Sequence, residues 1–156
     1  MTPQSALALA IDPALRLLPD RMTSRPAKVL VLAIALQESR LKYRVQIGGP
    51  ARGYWMFESG GGVAGVLRHH ASKPHIESVC EALNYPPSVN VCYRAIEHND
   101  VLAAAFARLL LWTLPQALPT SAARSWDYYL EAWRPGRPHP EPWAALYAQA
   151  QAAVTA

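Results

Sequence analysis

The stretch from Val29 to Leu36 reads VLVLAIAL, eight consecutive side chains without a polar atom. Ser24 precedes it as a helix cap and Pro26 falls in the first turn, so the spacing predicts a helix from after Ser24 to about Leu41. A helix apolar on nearly every side has no face to give to water and belongs in the middle of a fold. The run then stops abruptly at Gln37, Glu38, Ser39 and Arg40. On a helix, Glu38 follows Ile34, Val31 and Leu30 along one side, with Leu41 beyond. Its carboxyl group is therefore expected where the core meets whatever lies above it. Partial burial beside aliphatic groups, and the nearby helix C-terminus, both disfavour the charged form and raise a carboxyl pKa. A carboxylic acid still protonated near neutrality can give a proton to a leaving oxygen. The plain alternative is a glutamate exposed at a helix end and paired with Arg40, Lys42 or Arg44.

The other segments also read as helices. One is predicted from Ser5 to Leu18 and a short one near Val63 to Ala71. A pair beginning after Ser72 and in SVNVCYRAIEHN places Cys80 and Cys92 inward, as core thiols rather than a disulfide framework. Asn99 or Asp100 caps VLAAAFARLLLWTL, which Pro115 ends, and Ser121 to Trp133 and Pro142 to Val154 complete the set. No segment keeps strand alternation, and no repeat or linker divides the 156 residues, so one mainly α domain over 1–156 is expected.

Seven of the eight glycines fall between Gly48 and Gly65, in GGPARGYWMFESGGGVAG. Glycine serves positive φ or close approach to the backbone. The interleaved Tyr54, Trp55 and Phe57 turn an otherwise plain irregular loop, or small hairpin, into a candidate cleft wall whose exposed rings stack on sugars or bases.

Charge narrows the partners only in part. The chain carries +4, which suits an anionic partner such as nucleic acid, a membrane surface or a wall polymer. A single lysine or arginine falls between Leu102 and Ala123, and no arginine-rich run or nucleic-acid motif is present, which makes nucleic acid an unlikely partner. No apolar run approaches the ~20 residues that span a bilayer. The N-terminal segment lacks a basic stretch before its apolar part, and Asp12 and Pro13 interrupt it, so synthesis in the cytoplasm without a signal peptide is expected. His69, His70, His75 and His98 match no ligand spacing, so no metal and no cofactor is expected. Phosphate-loop, dinucleotide and Gly-x-Ser-x-Gly motifs are absent.

ALQESRL followed by GGPARGYWMFESGGG resembles the lysozyme-like superfamily, in its lytic transglycosylase and goose-type lysozyme branch. That pattern is a helix ending in Glu-Ser, then a loop of the form Gly-Leu-Met-Gln, whose place Gly53-Tyr54-Trp55-Met56 takes here. YYLEAWRPG stands where such enzymes carry a tyrosine-containing third motif. The nearest likeness is to small lysozyme-like proteins of tailed bacteriophages, good over Ala35 to Leu67 and looser elsewhere.

The resemblance implies a lysozyme-like helical domain that cleaves the MurNAc-GlcNAc backbone of peptidoglycan, as a lytic transglycosylase or a muramidase. It implies a protein of the virion or tail that opens the host wall during genome delivery, or a free lysis enzyme, with other tail or virion proteins as partners. Glu38 would be the catalytic acid, and Ser39 would support it within a substrate-binding set of Gly53, Tyr54 and Trp55. Apart from the resemblance, WRPGRPHPEPW with its four prolines reads as an extended strap for the last helix, or as a cleft wall that adds Trp133 to the set. The third-motif tyrosine is Tyr128 or Tyr129. Glu58 is the candidate second carboxylate, with capping of the glycine-rich turn as its other reading. Met56 stands where the pattern has glutamine, removing a hydrogen-bonding amide. That departure keeps a second reading open, a structural tail or virion protein with the same fold and little activity.

Overall fold

A computed structural model describes residues 1–155, and the described chain is mainly helical. Its elements are α1 (Pro3–Ala6), α2 (Asp12–Arg16), α3 (Arg25–Ser39), α4 (Ala64–Arg68), α5 (Lys73–Ala82), α6 (Val89–Ala95), α7 (Asp100–Trp112), α8 (Ala122–Trp133) and α9 (Trp143–Thr155).

The apolar run fixes the centre. Ser24 Oγ accepts the N–H of Ala27 (3.1 Å) and Pro26 occupies the first turn, so α3 starts where those residues ask it to. Every residue from Val29 to Leu36 is buried. α9 supplies the largest neighbouring face, and α7 and the first helical segment cover other sides. α7 is the second buried helix. Asn99 rather than Asp100 caps it, its Oδ1 accepting the N–H of Leu102 at 3.0 Å.

The first helix is not the regular rod expected from Ser5 to Leu18. α1 and α2 are joined by a wide π-type stretch, Leu7–Ile11, in which the Asp12 N–H reaches back to Leu7 O. Pro13 has no N–H to offer Leu9 O and its ring crowds that carbonyl, so the turn before it opens. Ser72 stands where a side-chain cap for α5 is expected. It makes no side-chain cap to α5; its hydroxyl is buried and donates to Val66 O (2.7 Å), tying α5 to α4 instead. Cys80 and Cys92 are both buried and unpaired, their sulfurs 3.7 Å apart.

The glycine-rich region makes no sheet among the described residues. Two isolated antiparallel bridges, Val45 with Arg52 and Arg52 with Phe57, fold it into two successive tight turns. Arg52 N–H donates to Phe57 O and Phe57 N–H to Arg52 O, each at 2.9 Å. No described helix is long and apolar enough to cross a membrane.

Candidate active site

α3 ends in a way that aims its last residues. Arg40 and Leu41 both adopt left-handed backbone (φ 55° and 57°), and the Arg40 N–H closes the helix on Leu36 O at 3.0 Å. Two successive left-handed residues that are not glycine are strained. Full burial of Leu41 and its N–H bond to Ser39 Oγ (3.2 Å) hold the turn. Ser39 Oγ also lies 2.8 Å from Tyr54 O and 3.1 Å from Ala35 O. Ser39 is thus buried and fastens the glycine-rich loop to the end of α3. It supports Glu38 through the backbone and does not line the cavity, which corrects its expected place among the substrate-binding residues.

The loop itself is inverted relative to expectation. The sequence calls for at least one of Tyr54 and Trp55 to be exposed at the cleft, but both are buried, Trp55 completely. Trp55 Nε1 donates to Val31 O at 2.9 Å, so the ring is driven into the core beneath α3. The Arg44 guanidinium, paired with Asp100, lies 4.4 Å over the Tyr54 ring and closes it off. Gly53 is buried too. Its φ is +75° and a Cβ there would stand 2.8 Å from Ile96 O, so this glycine lets the loop press on α6's end rather than touch a substrate. The aromatic pattern marks a loop anchored by its rings, not a ring-lined wall.

What the anchoring presents is a cavity of about 750 Å³, bounded by Glu38, Met56, Glu58, Tyr129 and Trp133. Met56 holds left-handed backbone (φ 51°) and reaches this space where the buried rings of Tyr54 and Trp55 do not. Trp133 is the expected aromatic that does line it. Its ring stacks on Phe57 (5.7 Å) and its Nε1 donates to Trp55 O (3.0 Å), so the loop and α8 are locked together. The two candidate tyrosines separate cleanly. Tyr129 O–H donates to Glu38 Oε1 at 2.5 Å, while Tyr128 turns to the other side of α8 and bonds Gln116 O at 2.9 Å. Tyr128 therefore leaves the substrate-binding set. Neighbours on a helix lie about 100° apart, so only one of the pair can face α3. Tyr129 is held by stacking on Trp143 (5.5 Å, 13° between planes) and contact with Trp126.

Burial raises the Glu38 carboxyl from 4.5 to about 7, against the Tyr129 hydrogen bond, which favours the ionised form. Burial, then the adjacent Glu38 charge, raises the Tyr129 phenol, so it stays a donor. With Oε1 accepting from Tyr129, Oε2 is the oxygen left to carry and deliver a proton. Glu58 is exposed and opens on the same cavity, and its carboxylate makes no hydrogen bond or ion pair among the described residues. It does not cap the glycine turn by its side chain; its main-chain carbonyl does that, accepting from Gly61 (3.2 Å) and Val63 (3.3 Å). Asp127 and Glu131 do not line the cavity.

Two further walls complete the site, the first expected only through Trp133 and the second not at all. One is the segment after α8, with Arg134, Arg137 and His139 on the cavity and His139 O accepting from Gln37 Nε2 at 2.8 Å. Its four prolines mark it as an extended strap of fixed direction, and the structure brings that strap over the cavity. The other is the lip of Tyr43, Val45 and Ile47, exposed at 49%, 41% and 79%, large apolar groups left facing water at the cavity's edge. No protein-family model, curated protein or solved structure matches the chain, and the reading of this site rests on its own geometry and chemistry.

Proposed function

We propose that the protein cleaves the MurNAc-GlcNAc backbone of peptidoglycan, with Glu38 as the catalytic acid in a lysozyme-like helical domain. The observation that carries this reading is a half-buried carboxyl group with a pKa near neutrality, fixed by Tyr129 and facing an open cavity. That is the requirement for general-acid cleavage of a glycosidic bond. Glu38 Oε2 gives its proton to the bridging oxygen, the C1–O bond breaks with its electron pair leaving on that oxygen, and positive charge develops at C1. Capture by the sugar's own 6-hydroxyl yields a 1,6-anhydro end, and capture by water yields a reducing end. In either case the Glu38 carboxylate takes the proton of the attacking oxygen. The substrate's N-acetyl group can assist, so a second carboxylate is not required, and Glu58 shapes the cavity instead. Trp133 and the Val45–Ile47 lip give flat apolar surface for sugar rings, and Arg134 and Arg137 give cations for an acidic wall polymer.

The resemblance to small phage lysozyme-like proteins supports a virion or tail component that opens the host wall during genome delivery, with a free lysis enzyme as the other placement of the same activity. One residue favours a second reading, a structural tail or virion protein with little activity: Met56 puts a thioether on the cavity where an amide would bind the glycan. Zymography on purified peptidoglycan, with blotting of purified virions, separates the two. Clearing by the wild type supports the enzyme. Presence in virions without clearing supports the structural protein, and absence from virions refutes the virion assignment under either reading.

A further inference from the structure

A second cavity, of about 630 Å³, lies away from Glu38 and shares none of its walls. Its floor is Arg108, the one basic residue between Leu102 and Ala123 and only 4% exposed. Arg108 Nε donates to Met22 O (2.8 Å), and its guanidinium lies 5.5 Å over the Trp112 ring. Nη1 and Nη2 have no protein partner among the described residues and remain open to the cavity. Arg21, at the same cavity, stands 5.6 Å from Trp112 and is also without an acidic partner. No aspartate or glutamate lines the space among the described residues; Leu111, Leu118 and Pro26 do. Of the nearby polar groups, Ser24 Oγ accepts the Ala27 N–H and the Tyr128 hydroxyl donates to Gln116 O, which leaves the Gln116 amide as the other polar side chain facing the space.

A buried charge without a counter-ion is costly unless something pairs with it. Burial lowers the Arg108 pKa to about 10, so the guanidinium keeps its charge at neutral pH. Its two free amino groups form a planar fork that matches a carboxylate. Arg21 is exposed to water, so the one buried cation sets the charge of the site; with no lysine and with prolines that lack N–H groups in the walls, it suits a single negative charge rather than a phosphate, and the walls suit an apolar body.

We infer that this cavity binds a small apolar carboxylic acid, its carboxylate on the Arg108 fork and its apolar part against Trp112 and Leu118. Fatty acids and acylated amino acids are the two sources of such an acid. Calorimetric titration of the full chain with octanoate and with N-acetylleucine, each beside its amide, tests this and tells the two sources apart. Binding of at least one acid, with the matching amide about tenfold weaker or worse, is the expected result for loss of a charge-assisted pair. Arg108→Met should lose that preference, with circular dichroism as the fold control. Should Arg108→Met fail to fold, Arg108→Lys keeps the charge but not the fork and should bind several-fold more weakly. Equal binding of acid and amide, no binding of either at millimolar concentration, or wild-type affinity in a folded Arg108 variant would overturn the inference.

Discussion

Glu38→Gln should make the protein more stable at alkaline pH and leave it unchanged in acid. The folded protein holds the Glu38 proton to about pH 7, whereas the unfolded chain releases it near 4.5. Stability therefore falls as pH rises between those two values, because the folded state binds more protons than the unfolded one there. Below 4.5 both states carry the proton and the term vanishes; above 7 the folded protein bears the whole penalty of a half-buried carboxylate. One pKa unit corresponds to about 1.4 kcal/mol, so the penalty is about 2–3 kcal/mol after allowing for the water that reaches the cavity. Glutamine keeps the shape and an oxygen for the Tyr129 hydroxyl but carries no charge. At about 2–4 °C per kcal/mol for a chain of this size, the variant should melt roughly 5–10 °C above wild type at pH 8. At pH 4 the two melts should coincide. Thermal melts at both pH values are the assay. A variant melting at or below wild type at pH 8, or stabilised equally at both, would refute the desolvation of Glu38.

Two further outcomes follow from contacts at the site. Tyr129→Phe removes a hydrogen bond that favours the ionised Glu38, so the alkaline limb of glycan cleavage should move to higher pH, while Tyr128→Phe should leave it in place; a pH–rate profile of the three proteins reads this, and equal shifts in both variants would contradict the division of the tyrosines. Gly53→Ala should destabilise by about 2 kcal/mol or more, since it combines positive φ with a 2.8 Å approach to the Ile96 carbonyl; a denaturant midpoint within error of wild type would show that the loop does not need glycine there.

The parts of this molecule legible in its sequence are those decided within a few residues. The apolar run, Ser24 and Pro26 specify α3 without help from elsewhere, and the same run puts Glu38 at the boundary of the core. Asn99 ahead of α7 and Ser121 ahead of α8 act as local caps for the same reason. Direction across the fold is another matter. Glycines interleaved with aromatics read the same whether the rings face a ligand or the core, and here the choice is made by Ser39 bonding Tyr54 O and by Val31 O receiving the Trp55 ring. Neither contact has a local signature. Tyr128 and Tyr129 are likewise told apart only by which helix lies opposite. The strap carrying Arg134 to His139 is visible as a proline-rich segment, but not its return across Gln37, which lies 102 residues from His139. Arg108 illustrates the opposite case: a lone cation in a long apolar stretch was plain, and its meaning needed the cavity around it.

The central claim is that Glu38 is the acid of a glycan-cleaving site, and release of soluble muropeptides from purified peptidoglycan by wild type and Glu38→Gln tests it most directly. General-acid catalysis contributes about 10²- to 10⁴-fold, so the variant should lose at least the lower of these while keeping its helical fold, and Glu58→Gln should lose far less. Release by Glu38→Gln at the wild-type rate, or no release by wild type from the walls of several bacteria, would contradict the account.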